Sequence, residues 1–199
     1  MKTTTTWTHR KLLALLLAVC GPGQIVNGAE PTAFELVREG NRHLGDEAKG
    51  RVVQIRSDKS IGSLTPSIWY IVYYDPDARA KATEIKFAAG KKVSVSRPAR
   101  IINVSGSGHR ELPKASLKID SGKALEIAQK EPILEKLTLK ASRLVLERWG
   151  FGNELPVWKV RFWAAKLSNP NKMVNIGDVF VSAEDGKVVK NELKIDRVD

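Results

Sequence analysis

Cysteine is almost absent from this chain: Cys20 is the only one in 199 residues. No disulfide can form within the chain, so its stability must come from packed cores. Histidine is nearly as scarce, with three in all, and none falls in a metal-ligand spacing such as His-Glu-x-x-His. No apolar run approaches the roughly 20 residues that a membrane-spanning helix needs. Lysine and arginine never run longer than two, and no basic cluster is interleaved with aromatics, which argues against nucleic acid as a partner. The formal charge is nevertheless +11. Scattered cations of this kind describe a solvated surface, or a field that draws in anionic partners.

The first residues read as a targeting segment. His9, Arg10 and Lys11 precede the apolar run Leu12 to Val19, and Val26-Asn27-Gly28 is a small-residue exit, so cleavage is expected before Ala29. Leu17-Ala18-Val19-Cys20 resembles a bacterial lipobox with Val19 in place of a small residue, so a lipoprotein anchored at Cys20 is the alternative. Losing residues 1–28 removes Lys2, Arg10 and Lys11 and no acid, lowering +11 to +8. The expected location is secreted or periplasmic, with no transmembrane segment after cleavage.

What the chain does contain is an internal duplication. Ala33-Phe-Glu-Leu-Val is answered by Ala124-Leu-Glu-Ile-Ala. Trp69-Tyr-Ile-Val-Tyr-Tyr is answered by Trp158-Lys-Val-Arg-Phe-Trp, and Ala89-Gly-Lys-Lys-Val by Asp185-Gly-Lys-Val-Val. The separations are 91, 89 and 96 residues, in the same order. Each unit predicts a helix followed by strands and a tight turn. The expected layout is a signal peptide over 1–28, repeat one over 29–96, a linker over 97–115 and repeat two over 116–199. The expected fold class is α+β: two repeats, each a helical layer packed on an antiparallel β-sheet.

Local signals support these elements. Thr32 with Glu35 forms a capping box, and Ala33, Leu36, Val37 and Leu44 make one apolar stripe ending near Gly40 and Gly45. Ser121 is the expected cap of the second helix, which Pro132 interrupts. Arg51 to Arg56 and Arg143 to Arg148 predict short strands. In the aromatic strands alternate residues share a face. Trp69, Ile71 and Tyr73, with Trp158, Val160 and Phe162, are the expected inward set. Hairpins are expected from Thr83 to Val95 and from Asp178 to Leu193, the latter around Asp185-Gly186. Ser105-Gly-Ser-Gly reads as a connector, with Arg100 to Val104 as a candidate strand before it.

These residues resemble the PepSY family. The shared pattern is an Ala-Leu-Glu-Ile-Ala helix, a Trp-x-Val-x-Phe strand and a strand ending in Asp-Gly-Lys-Val. It covers 117–195 well and 31–95 less closely, with Ala89-Gly90 replacing Asp-Gly. The resemblance implies an exported fold of helices on an antiparallel sheet, linked to restraining or binding peptidases. Tandem copies look like the architecture of the β-lactamase inhibitory protein, in which two sheets present a concave surface. It implies no catalytic residues and no cofactor.

The outward face of the aromatic strands is the candidate site. Tyr70, Val72 and Tyr74 point away from the core in the first unit, as do Lys159, Arg161 and Trp163 in the second. Tyr, Trp and Arg are the residues that most often anchor protein interfaces, so Tyr70, Tyr74, Lys159, Arg161 and Trp163 are the expected partner-binding set. The expected partner is an exported protein, with a peptidase among the candidates; the alternative is an anionic cell-envelope polymer or lipid. Asp75-Pro-Asp77 reads as a turn rather than a cation site. His43 and His109 read as surface residues. Ser107, His109 and Glu111 lie too close together in sequence to converge on a substrate atom. Asn103-Val-Ser105 is formally a glycosylation sequon.

Overall fold

The computed structural model describes residues 1, 30–98, 110–149 and 155–199. The expected targeting segment, the expected Ser/Gly connector, the candidate strand Arg100 to Val104, the sequon and His109 lie outside these residues.

Among the described residues, one α-helix followed by four strands occurs twice, with short 3-10 turns between. Helix α1 spans Ala33–Gly40, followed by β1 (Val52–Ser57), β2 (Ile68–Tyr74), β3 (Ala82–Ala88) and β4 (Lys91–Ser96). Helix α2 spans Ser121–Gln129, followed by β5 (Leu139–Trp149), β6 (Leu155–Ala165), β7 (Met173–Ser182) and β8 (Val188–Asn191). All pairings are antiparallel, and the strand order is β4-β3-β2-β1-β5-β6-β7-β8.

This order corrects the expected fold class. Two separate repeats, each with its own helical layer on a sheet, are not what forms. A single eight-stranded sheet carries the fold, and the helices are short, at eight and nine residues. The physical reason lies in the inner edges. Left apart, β1 and β5 would each present an open edge of unpaired backbone groups. They pair instead through Ile55 with Leu146 and Arg56 with Val145. Where that ladder runs out, buried serines continue it. Ser57 Oγ accepts from the Leu144 amide at 2.9 Å, and Ser60 Oγ accepts from the Ser142 amide at 2.8 Å. The Ser142 hydroxyl donates to the Leu64 carbonyl.

One apolar core follows from this joint. Trp69, Ile71 and Tyr73 join Trp158, Val160 and Phe162 in the same cluster, all 3% exposed or less. The inward set read from alternation is thus the buried set. Trp69 and Trp158 meet edge to face at 6.5 Å between ring centres. Burial of such side chains contributes roughly 1.5–3 kcal/mol each. Ala33 and Leu36 of α1 and Ala124, Leu125 and Ala128 of α2 close the core on one side of the sheet.

The helix starts interlock. Thr32 and Glu35 form the expected capping box. The cap of α2 is Asp120, not Ser121: its carboxylate accepts from the Ser121 amide at 2.6 Å. Ser121 is the first helical residue, and its hydroxyl accepts instead from the Ala33 amide of α1 at 3.0 Å. Strand β5 is also longer than the expected 143–148, because its outer residues pair along β6 from Leu139 to Trp149.

Candidate functional site

Neither helix packs on the second face of the sheet, so that face keeps a different chemistry. Its small apolar cluster is Val53, Val72 and Ala82 with Tyr74 against them. Around it stand rings and charges. One row crosses seven of the eight strands by register: Lys86, Tyr70, Arg56, Val145, Lys159, Phe180 and Lys190, from β3 to β8.

The five expected contact residues all project on this face, and each is held by a neighbour. Arg56 lies 4.6 Å and Lys86 5.3 Å from the Tyr70 ring centre, while the Tyr70 hydroxyl donates to Asp58 at 3.0 Å. Arg51 stacks over Tyr74 at 4.3 Å. Lys59 reaches over Trp163 at 4.9 Å. Lys159 sits 5.4 Å from the Phe180 ring and 3.3 Å from the Asp178 carboxylate. Arg161 grips the same carboxylate with two bonds, 2.6 and 2.9 Å. Cation–ring contacts of this type stabilise by about 0.5–1 kcal/mol when exposed. Their further effect is to restrict the rotamers of these side chains.

Acids on this face are enclosed. Burial pushes the Asp178 acid upward, but hydrogen bonds from Arg161 and the charges of Lys159 and Arg161 outweigh it and hold the group below its ordinary value. Glu147 goes the other way: burial raises it above the usual range, and the hydrogen bond from Gln54 and the Lys159 charge only offset part of that. Glu84 pairs with Arg56 at 2.6 Å. Beneath these contacts Gln54 Oε1 and Arg56 Nη1 are buried with no hydrogen-bond partner.

Cations are less fully matched. Among the described residues no carboxylate lies within ion-pair distance of Lys59, Lys86 or Arg143. A cleft of about 390 Å³ opens beside Arg161, lined in part by Asn175, Asp178, Lys194 and Arg197.

Sequence reasoning missed Lys59, Arg56, Lys86, Arg143 and Phe180 as members of this face. A signal existed for three of them: Arg56, Lys86 and Arg143 are charged residues flanked by buried ones in their strands, which alternation marks as facing away from the core. Lys59 lies in a loop 104 positions from Trp163, so no local pattern joins them.

The other candidates resolve simply. Asp75 is a turn anchor: it accepts from the Asp77 amide at 3.0 Å and the Thr83 hydroxyl at 2.5 Å, and Arg97 lies 3.3 Å away. His43 lies 3.6 Å from Glu39, one helical turn away. Among the described residues no group of three potential metal ligands gathers, and no helix is long and apolar enough to cross a membrane.

Comparison with protein-family models, curated proteins and solved structures gives no match. The likeness to PepSY modules is carried by the quoted residues alone.

Proposed function

We propose that this chain is an exported, non-enzymatic binding module that receives another exported protein, with a peptidase among the candidates, on the helix-free face of its sheet. The observation that carries the reading is the convergence of Tyr70, Tyr74, Lys159, Arg161 and Trp163. They come from opposite halves of the sequence, yet they share one face, and cations or acids fix their rings and side chains in place. Residues of these types dominate binding energy when they are preorganised at the centre of an interface. The basic, apolar leader at 9–19 supports export.

The test is affinity capture from the producing cell's envelope fraction, with the chain as bait and variants as controls. Tyr74→Ala with Trp163→Ala should abolish capture of a specific protein while the chain still unfolds cooperatively, its melting temperature lowered by only the few degrees that two lost cation–ring contacts of about 0.5–1 kcal/mol each account for. Capture that persists in the double variant would refute the docking face.

A second reading, an electrostatic binder of anionic envelope polymer or lipid, is favoured by Lys59, Lys86 and Arg143, which have no carboxylate within ion-pair distance among the described residues. Salt separates the two. Binding driven by charge weakens as the screening length shrinks to about 3 Å at molar salt, whereas a ring-centred protein interface persists.

A further inference from the structure

Arg143 and Arg161 are directly opposite each other on β5 and β6. Like charges in that relation destabilise a sheet. The two guanidinium groups turn apart: Arg143 Nε donates to the Ser57 carbonyl on β1 at 3.2 Å, and Arg161 reaches Asp178 on β7. Arg161 is satisfied by its carboxylate. Arg143 is not, for a guanidinium carries five N–H donors, and only Nε has a partner among the described residues. Its terminal nitrogens are not among the buried unpartnered atoms of the face, so they are open to an incoming group. Lys59, exposed and without a carboxylate, lies over the neighbouring Trp163 ring.

Resting on the docking reading above, we propose that Arg143, Lys59 and the Trp163 ring form a subsite for a carboxylate side chain of the protein partner. The unused fork of Arg143 matches a carboxylate in a two-bond geometry. Lys59 supplies a second charge, and the indole offers a flat apolar wall for the methylenes of a glutamate. Charge complementarity fixes the class of occupant: Arg143 and Lys59 have no carboxylate partner among the described residues, and the nearby acid Asp178 is already engaged by Lys159 and Arg161.

The experiment follows the Arg143 Nε–H and Trp163 indole N–H signals by nitrogen-15 NMR in the full chain. The probes are an end-blocked hexaglutamate peptide, its hexaglutamine counterpart, inorganic phosphate, and vesicles containing anionic lipid. Hexaglutamate should shift both signals and hexaglutamine neither. Arg143→Gln should weaken hexaglutamate binding by about tenfold, the loss expected for one charged hydrogen-bonded pair, and Arg143→Lys by less. Because the opposed charges are relieved, Arg143→Gln should melt no lower than the parent. A marked fall in its melting temperature would assign Arg143 to holding β1 and β5 together and overturn the proposal. So would signals that respond to phosphate or vesicles and not to hexaglutamate. Failure here leaves the docking face standing if Trp163→Ala with Tyr74→Ala still abolishes partner capture. Capture that survives that double variant removes the docking face itself, whatever hexaglutamate does.

Discussion

Replacing Asp120 with alanine should lower the stability of the protein by about 2–4 kcal/mol, more than a single helix cap contributes. The excess comes from its double use. The carboxylate caps α2 through the Ser121 amide at 2.6 Å, and it also accepts from the Phe34 amide of α1 at 3.1 Å. A helix start leaves its first amides without internal partners. In α1 those donors are met from three directions. The Ala33 amide goes to Ser121 Oγ, the Phe34 amide to Asp120 and the Glu35 amide to Thr32 Oγ1. Losing the α2 cap costs about 1 kcal/mol, and orphaning the part-buried Phe34 amide costs about 1–3 kcal/mol more.

Urea unfolding followed by circular dichroism measures this as a shift in midpoint at constant slope. In a protein of this size the fall in melting temperature should be about 5–15 °C. Asp120→Asn keeps an acceptor at the site and loses only the charge facing two helix N-termini, about 0.3–1 kcal/mol for each. Ser121→Ala removes only the acceptor for Ala33 and should cost about 1 kcal/mol. An Asp120→Ala protein within about 0.5 kcal/mol of the parent, the range of ordinary surface substitutions, would refute the claim that this carboxylate ties the two helix starts together.

Two further changes follow from enclosed groups. Glu147→Gln should raise stability at neutral pH and leave it unchanged near pH 4, as read by melting temperature across pH. The folded acid binds its proton more tightly than the unfolded one. Its contribution is therefore fully present below the unfolded value and lost as pH rises through the folded one. A pH-independent effect would contradict this. Gly40→Ala should destabilise by about 1–3 kcal/mol, the usual cost of overpacking, since its new methyl would lie 2.2 Å from the Tyr73 hydroxyl. That hydroxyl donates to the Val37 carbonyl at 3.1 Å. The double change with Tyr73→Phe should recover part of the loss in urea unfolding.

Elements whose cause is local were legible in the sequence. The capping box at Thr32, the aromatic strands and their inward residues each depend on neighbours a few positions away. The cap of α2 was misassigned because Asp120 and Ser121 are both good acceptors. What separates them is α1, 88 residues upstream of Ser121, which takes the serine hydroxyl for the Ala33 amide. The helical layers were overestimated for a related reason. The stripe of α1 stops at Gly40, which packs against Tyr73, and α2 ends before Pro132. The sheet therefore does most of the burying.

The joint between β1 and β5 was the least legible feature, and it also decides the candidate site. Each half alone presents an aromatic strand with an outward face, which alternation reveals. Nothing local says that the inner edges will pair, since edge pairing depends on two backbones meeting in register. Once they pair, the outward faces of the two halves become one surface. Arg56 of the first half then stands beside Val145 of the second, and Lys59 reaches Trp163 across the joint. The opposed pair Arg143 and Arg161 belongs to one half, but Arg143 is anchored by Ser57 from the other. A partner that needs both halves would lose its surface if the joint opened, even with every ring intact. Binding should accordingly track the integrity of the β1–β5 pairing as well as the identity of the exposed side chains.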